Sequence, residues 1–529
     1  MSHKKRVLIV TGVLAKNMVE KNVSENKNVE VEVLTLPIQV AAFISPTYAA
    51  KKLKEMGMKI KNFDLVLLPG MIAGDVAEVS RVIGIPVFKG PKHAADLPVV
   101  LDSLDVVHLS TKIPACELLK EKLKEKALKE LELIRLEASK VREDKKLVLG
   151  SGERKVWTCF GYPPLLVAEI VNVPFLSDEE IQRLAKLYVK HGADVVDIGM
   201  VAGRKHPEDA ERAVRSVFEA VKKPVSIDSN DVEEIKFAVE VGADLILSIN
   251  GENMEEASKI SSLTNKYVVV TPVDEAGKIP ENYVERVNQL ELNIKKARLL
   301  GFKHIIADPL LTVQNFVDSL MGYVEFRRRN PETPLLFGAG NITELVDVDS
   351  VGINFLLALL AWEVGVNLVF TTQASNKTQE SVKELSTAIK MVALAKRRET
   401  PPKDLGIDLL ILKEKKRKDE AFEEAMNEKW VKIVKAQTTE EYVSDPLGYF
   451  KVRLNRETEE ILVFHYRYGK EKPDFVVKGK NPKDIYRRIF EENLISRLDH
   501  AAYLGSELQK ARIALKTGKS YIQDNELFG

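Results

Sequence analysis

Two cysteines in 529 residues, Cys116 and Cys159, are too few for a disulfide framework, so a reducing compartment, the cytoplasm, is the expected setting. They are also far apart and lack histidine partners at ligand spacing, so no metal site is expected from them. Charge of one sign is missing as well. Lys plus Arg (79) against Asp plus Glu (78) leaves a formal +1, which removes the electrostatic case for a nucleic-acid partner. No apolar run approaches the length of a membrane span, and the opening Met1-Ser-His-Lys-Lys-Arg leads straight into a strand-like segment without the features of a signal peptide. No Gly-x-Gly-x-x-Gly and no Walker A loop occurs, so nucleotide binding is unsupported. No cysteine or serine nucleophile with a partnered base is visible either.

What is present is a unit repeated eight times. An apolar run, one or two polar residues and a helical stretch recur at Leu165–Val173, Val195–Met200, Val225–Asp228, Leu245–Asn250, Val268–Thr271, Ile305–Asp308, Leu335–Gly338 and Leu368–Thr371. Little alternation within each run predicts parallel strands buried on both faces. Segments such as 178–191, 207–221 and 282–300 are long enough for crossover helices. Eight such units predict an α/β fold centred on a (β/α)8 TIM barrel at about residues 150–400.

Length implies further domains. Residues 1–112 read as a Rossmann-like α/β domain, with strands expected at Val7–Val10, Val31–Leu36, Leu65–Leu68, Pro86–Phe88 and Val106–Leu109. Its role is open between a lid and a purely structural one, and His93 reads as a polar loop residue. Residues 113–149 carry Glu and Lys spaced three or four apart and predict a solvated connecting helix. Residues 401–529 mix strands (Leu409–Leu412, Phe450–Leu454, Ile461–Tyr466) with helices (Pro482–Asn493, Ala501–Leu515), an α+β domain.

The chemistry is expected where the barrel runs stop, because active sites of such barrels lie at the strand C-termini. Asn172, Asp197, Asp228, Asn250, Asp308 and Asn341 stand there, with Asn230 just beyond. Asp228, Asn250 and Asp308 can converge on one cavity. Two carboxylates and a carboxamide suit a flat heterocycle with adjacent N–H donors, such as the 2-amino-4-oxo edge of a pterin, because a carboxylate accepts both bonds. The same residues also suit strand-end caps or structural ion pairs.

Val171-Asn-Val-Pro174, Gly192-Ala-Asp-Val-Val-Asp-Ile-Gly199, Pro224-Val-Ser-Ile-Asp228, Gly242-Ala-Asp-Leu-Ile-Leu-Ser-Ile-Asn250 and Ala307-Asp-Pro309 occur in an order that resembles the pterin-binding superfamily. That superfamily includes dihydropteroate synthases and methyltetrahydrofolate:corrinoid methyltransferases, and the whole chain is similar to archaeal dihydropteroate synthase-related proteins. The resemblance implies a small-molecule pterin, of tetrahydromethanopterin or folate type, held by Asp228, Asn250 and Asp308, with Asn172, Asp197 and Asn230 beside it. Two enzymatic branches follow. A synthase must hold a diphosphate, for which Arg204 and Lys205 in Met200-Val-Ala-Gly-Arg-Lys-His-Pro207 are the candidates, although that loop departs from the synthase pattern. The later segment Phe337-Gly-Ala-Gly-Asn341 lacks the synthase's basic pair. Asn341 and the following Asp349–Ala361 stretch instead resemble the methyltransferases. That likeness implies a pterin-dependent transferase in which Asn341 assists at N5 of a methyl-pterin. The methyl group would then pass to a corrinoid, on a partner protein or on the C-terminal domain. Asp445-Pro-Leu-Gly-Tyr-Phe450 and His500–Gly505 resemble a corrinoid-associated module, with no metal role assigned to His500. A non-catalytic pterin or corrinoid carrier is the third alternative, and a homodimer is left open.

Overall fold

The computed structural model describes residues 4–24, 26, 28–105, 107–413, 430, 432, 434–436 and 443–528. It divides into two compact units, Met1–Leu409 and Leu410–Gly529.

The first unit opens with four parallel strands, β1 (Arg6–Gly12), β2 (Glu30–Leu36), β3 (Leu65–Leu68) and β4 (Val87–Lys89), in the order β2-β1-β3-β4. Of the expected fifth strand, Val106 lies outside the described residues, and Val107–Leu109 have no regular structure. A hairpin follows, β5 (Lys146–Leu149) against β6 (Val156–Cys159).

Eight strands then make the barrel: β7 (Leu165–Ile170), β8 (Val195–Gly199), β9 (Val225–Asp228), β10 (Leu245–Ile249), β11 (Tyr267–Val270), β12 (His304–Ala307), β13 (Leu336–Gly338) and β14 (Leu368–Thr372). Their order is β12-β11-β10-β9-β8-β7-β14-β13, and a parallel bridge between Ala307 and Leu335 closes the ring. All eight expected runs are strands. Each needs its length of apolar side chains because both faces are covered. Val196, Ile198, Val225 and Ile227 meet the helices outside, while Leu165, Val167, Val195, Leu245 and Leu368 fill the interior. Leu147, Leu149 and Val156 of the hairpin pack with that interior set and plug the end where the strands begin. The opposite end is left for polar side chains.

Local signals fix the helix starts. Ser177 and Glu180 form a reciprocal capping box at the helix Asp178–His191, and Gly192 ends it in the left-handed conformation. Asp231 caps the helix Val232–Glu240 by accepting from the backbone N–H groups of Glu233 and Glu234.

The charged connection is not wholly solvated. Its helix, Lys120–Ser139, buries Leu123, Ala127, Ile134 and Ala138. Ala127 packs with Met391, Leu394, Ala395 and Leu405 at the end of the barrel's last helix. Arg397 and Arg398 pair with Glu137 and Glu130 across the same contact. His93 is likewise more than a loop residue: its Nε2 lies 3.0 Å from Asp404 Oδ2, joining the first domain to the segment after the barrel.

The second unit is an antiparallel sheet of β15 (Tyr449–Asn455), β16 (Glu460–Tyr466) and β17 (Phe475–Gly479) with helices Pro482–Glu491 and Leu498–Thr517. Val452, Ile461, Val463 and Val477 bury one sheet face against Ile485, Ile489, Leu504 and Leu508. β17 is a strand beyond those expected, and the expected strand Leu409–Leu412 is not one. Among the described residues no helix is long and apolar enough to cross a membrane.

Candidate active site

Side chains alternate along each strand, so the inward Leu165 and Val167 of β7 make Glu169 inward too. Parallel register sets Thr372, Glu169, Asp197 and Ser226 side by side across β14, β7, β8 and β9. Above that row Gly199 pairs with Asp228. A Cβ on Gly199 would run into the Glu169 carboxylate, so the glycine makes the space in which that carboxylate reaches toward Asp228. Oxygens of Glu169, Asp197 and Asp228 all lie within 4.8 Å of one another.

Three carboxylates this close cannot all ionise in a buried setting. Asp197 is fully buried. Its Oδ1 accepts the Ser226 hydroxyl at 2.5 Å, and its Oδ2 has no hydrogen-bond partner. Burial, then Asp228 and Glu169, hold its carboxyl well above the usual range. Burial, then Asp228 and Glu344, push Glu169 up to about 8. Burial raises Asp228, against the Ser248 hydroxyl that donates to it at 3.4 Å. The sequence suggested no cation site; this cluster is a donor set that can hold a cation or share protons.

Asp308 follows β12, and its backbone N–H donates to Val270 O at 2.9 Å. Its Oδ1 accepts from Leu310 N at 2.8 Å and from the Tyr323 hydroxyl at 2.5 Å, so both donors use one oxygen and the other stays available to a ligand. Burial pushes this carboxyl up to about 6, with Asp228 contributing in the same direction. The loop is held in a costly shape: Leu310 has φ 62°, and the buried Arg286 donates to Leu310 O at 2.6 Å and to Pro280 O at 2.9 Å. Ser248 is strained in the same way, at φ 69°, where the register of β10 slips.

Asn250 is buried beside Ser248; its Oδ1 accepts from Glu252 N at 2.9 Å and its Nδ2 donates to Ser248 O at 3.5 Å, which leaves the second N–H of that amide to offer a ligand. Asn341 lies one residue into the short helix Gly340–Thr343, with Nδ2 3.2 Å from Leu311 O. That contact sets it beside the Asp308 loop. Gly338 leaves room for it, because a Cβ there would lie 2.6 Å from Asn341 Nδ2.

Four expected residues stand at the rim instead. Asn172 is exposed in a left-handed turn (φ 55°) after β7, and Asn230 is exposed two residues beyond Asp228. Arg204 is exposed, and Lys205 is engaged by Asp231 at 2.8 Å and Glu233 at 3.9 Å. In the second unit, His500 Nε2 donates to Val443 O at 2.7 Å, so that nitrogen is committed to the backbone. Glu169, Tyr323 and Arg286 escaped the sequence reading. Only Glu169 left a signal there, as an acid inside the apolar run Leu165–Val173.

The profile of the family described as pterin binding enzyme matches residues 171–371. Residues 444–524 match a profile described as PterinBD-DUF4346, and residues 5–92 match a family of unknown function, DUF6513. An uncharacterized protein of Methanocaldococcus jannaschii is 36% identical over 538 aligned positions, covering 99% of each chain. A Ycf91-like protein of Nostoc sp. is 31% identical over 105 positions, covering 15% of this chain and 83% of its own. Among solved structures, dihydropteroate synthase of Yersinia pestis is similar at 17% identity over 47% of this chain and 100% of its own, with a TM-score of 0.38. That of Thermus thermophilus is similar at 21% identity over 46% and 97%, with a TM-score of 0.37. With a relative 36% identical from end to end, the chain belongs to the family of the Methanocaldococcus jannaschii protein, and its barrel, from the end of β7 to β14, matches the pterin binding enzyme profile.

Proposed function

We propose that the protein is a pterin-dependent transferase that moves the N5-methyl group of a methyl-tetrahydropterin to a reduced corrinoid carried by a partner protein. Asp308 and Asp228 accept the N–H donors of the aminopyrimidine edge, and Asn250 Nδ2 donates to the ring. Asn172, Asn230 and Asp197 complete the pterin's surroundings as a rim and a floor. Asn341 Nδ2 acts near N5. A methyl on that nitrogen is a poor electrophile because the leaving group is an amide-like anion, and a positioned donor is worth on the order of a hundredfold in rate. The corrinoid is the second substrate and supplies the nucleophile.

The observation that supports methyl transfer most is that the inner cluster of the site is acidic rather than basic. Glu169, Asp197 and Asp228 form one acidic cluster. Lys205, a phosphate candidate, is engaged by two other acids. A diphosphate would meet three acidic side chains and no basic partner among them, whereas a methylated amine brings no negative charge to that cluster. The second reading, condensation of a pterin-methyl diphosphate with an arylamine, keeps only Arg204 and Lys205 in its favour.

Calorimetric titration with methyl-tetrahydropterin and with hydroxymethyl-dihydropterin diphosphate, followed by transfer to free cob(I)alamin, tests the choice. Tighter binding of the methylated ligand with transfer is expected. Magnesium-dependent condensation would replace this reading by the second, and binding without turnover of either pair would make the protein a carrier.

A further inference from the structure

Asp308, Asn250 and Asp228 belong to β12, β10 and β9, one arc of the closed ring. The complementary arc is β13, β14, β7 and β8, carrying Asn341, Thr372, Glu169 and Asp197. A bicyclic ring gripped by its pyrimidine edge on the first arc turns its pyrazine ring, with N5, to the second. On that arc Asn341 can donate a hydrogen bond but has no proton to give up. Glu169 does: it is inward-facing, shares one small volume with two other carboxyls, and has a glycine opposite it where any side chain would displace it.

The second observation is the unpartnered Oδ2 of Asp197, which is fully buried within that volume. An ionised oxygen there, without a donor, is costly. A shared proton or a ligand hydrogen answers it.

Resting on the methyl-transfer reading, we propose that Glu169 is the catalytic proton donor to N5 and that Asp197 is the positioning residue that keeps the proton on Glu169 until transfer. As the N5–CH3 bond breaks, its electron pair stays on N5, which takes the Glu169 proton and leaves as a neutral secondary amine. The methyl carbon bonds to the corrinoid nucleophile, which contributes both electrons and is formally oxidised by two. Glu169 is left as a carboxylate and regains a proton from solvent once the pterin has left. The charged and titratable groups facing Glu169 are Asp197 from β8, Asp228 from β9, Glu344 from the segment after β13 and Tyr188 from the helix Asp178–His191, with the Thr372 hydroxyl from β14. None of these is a cation, so nothing in that set favours an ionised Glu169.

Single-turnover methyl transfer to cob(I)alamin, followed between about pH 6 and pH 10, tests this. For the wild type the rate should fall tenfold per pH unit above an inflection near about 8, where Glu169 loses its proton. Glu169→Gln should bind methyl-tetrahydropterin within about twofold of wild type, transfer on the order of a hundredfold more slowly at neutral pH, and show no inflection. Asp197→Asn keeps an oxygen for Ser226 and puts an NH2 group in the place of Oδ2, where it can donate to a Glu169 carboxylate, and should move the inflection to lower pH; a purely structural role would leave it in place. It also keeps the question answerable if Glu169→Gln fails to fold. An unchanged rate and inflection in Glu169→Gln overturns the inference while leaving methyl transfer standing. So does stoichiometric Mn²⁺ binding by the wild type, by electron paramagnetic resonance, that Glu169→Gln abolishes. A wild type that does not bind methyl-tetrahydropterin at all removes both the inference and the reading beneath it.

Discussion

Asp308→Asn separates ligand recognition from structure more cleanly than any truncation. Both protein donors to this side chain, Leu310 N at 2.8 Å and the Tyr323 hydroxyl at 2.5 Å, end on Oδ1. An asparagine keeps an oxygen there, so the buried tyrosine and the strained Leu310 loop retain their acceptor. The other oxygen becomes an NH2 group. Where the carboxylate accepted from the pterin's ring N–H and amino group, the variant opposes donors with a donor. A hydrogen bond to a charged group is worth about 1.5–3 kcal/mol. Losing at least one such bond, and meeting a mismatched donor, should cost about 3 kcal/mol, or roughly 150-fold in affinity. Titration calorimetry with methyl-tetrahydropterin measures this, with thermal unfolding alongside. Asp308→Ala should lose comparable affinity and also stability, since two buried donors are left without a partner at about 1–3 kcal/mol each. An Asp308→Asn protein that folds normally and binds the pterin within about twofold of wild type would falsify the grip assigned to this residue.

Three other outcomes are expected. Because Asp308 is pushed up to about 6, its protonated fraction grows as pH falls through that value; a carboxylic acid cannot accept both N–H bonds. Pterin affinity should therefore decline below about pH 6 in wild type and stay flat in Asp308→Asn, and equal slopes in titrations of the two proteins contradict the assignment. Gly338→Ala should fold, since the Cβ meets only the end of the Asn341 side chain, yet it should lower turnover as Asn341→Ala does, both with little change in pterin affinity; weakened binding at unchanged turnover would count against the role given to Asn341. Arg286→Met fills similar space but strips the carbonyls of Pro280 and Leu310 of their donor, so denaturant unfolding should show a loss of about 3 kcal/mol, and a loss under about 0.5 kcal/mol would show that the buried guanidinium is not what holds the Leu310 turn.

The barrel was legible because its signal is local. Each of the eight runs must be largely apolar to lie between a packed interior and a layer of helices, and nowhere else in the chain do eight such runs follow one another. Asp228 and Asp308 were legible for the same reason: a carboxylate that interrupts such a run at its end can face only the mouth. Asn250 was half legible. Its position was right, but its oxygen caps the turn at Glu252, a contact between near neighbours that strand periodicity does not report. Tyr323 reaches Asp308 from fifteen positions away on a crossover helix, and Arg286 reaches Leu310 from twenty-four, so both depend on how helices wrap the ring rather than on any spacing. The charged segment 120–139 misled because its buried residues, Leu123, Ala127, Ile134 and Ala138, make a narrow stripe among lysines and glutamates, and only the facing Met391 and Leu394 give it a partner. Glu169 lies between these cases. Counting by two from Leu165 and Val167 turns it inward, and an acid facing the inside of a closed barrel has nowhere to be ionised cheaply. Its carboxyl therefore either holds a proton or waits for a ligand that brings one, and strand arithmetic alone reaches that conclusion before any distance is measured.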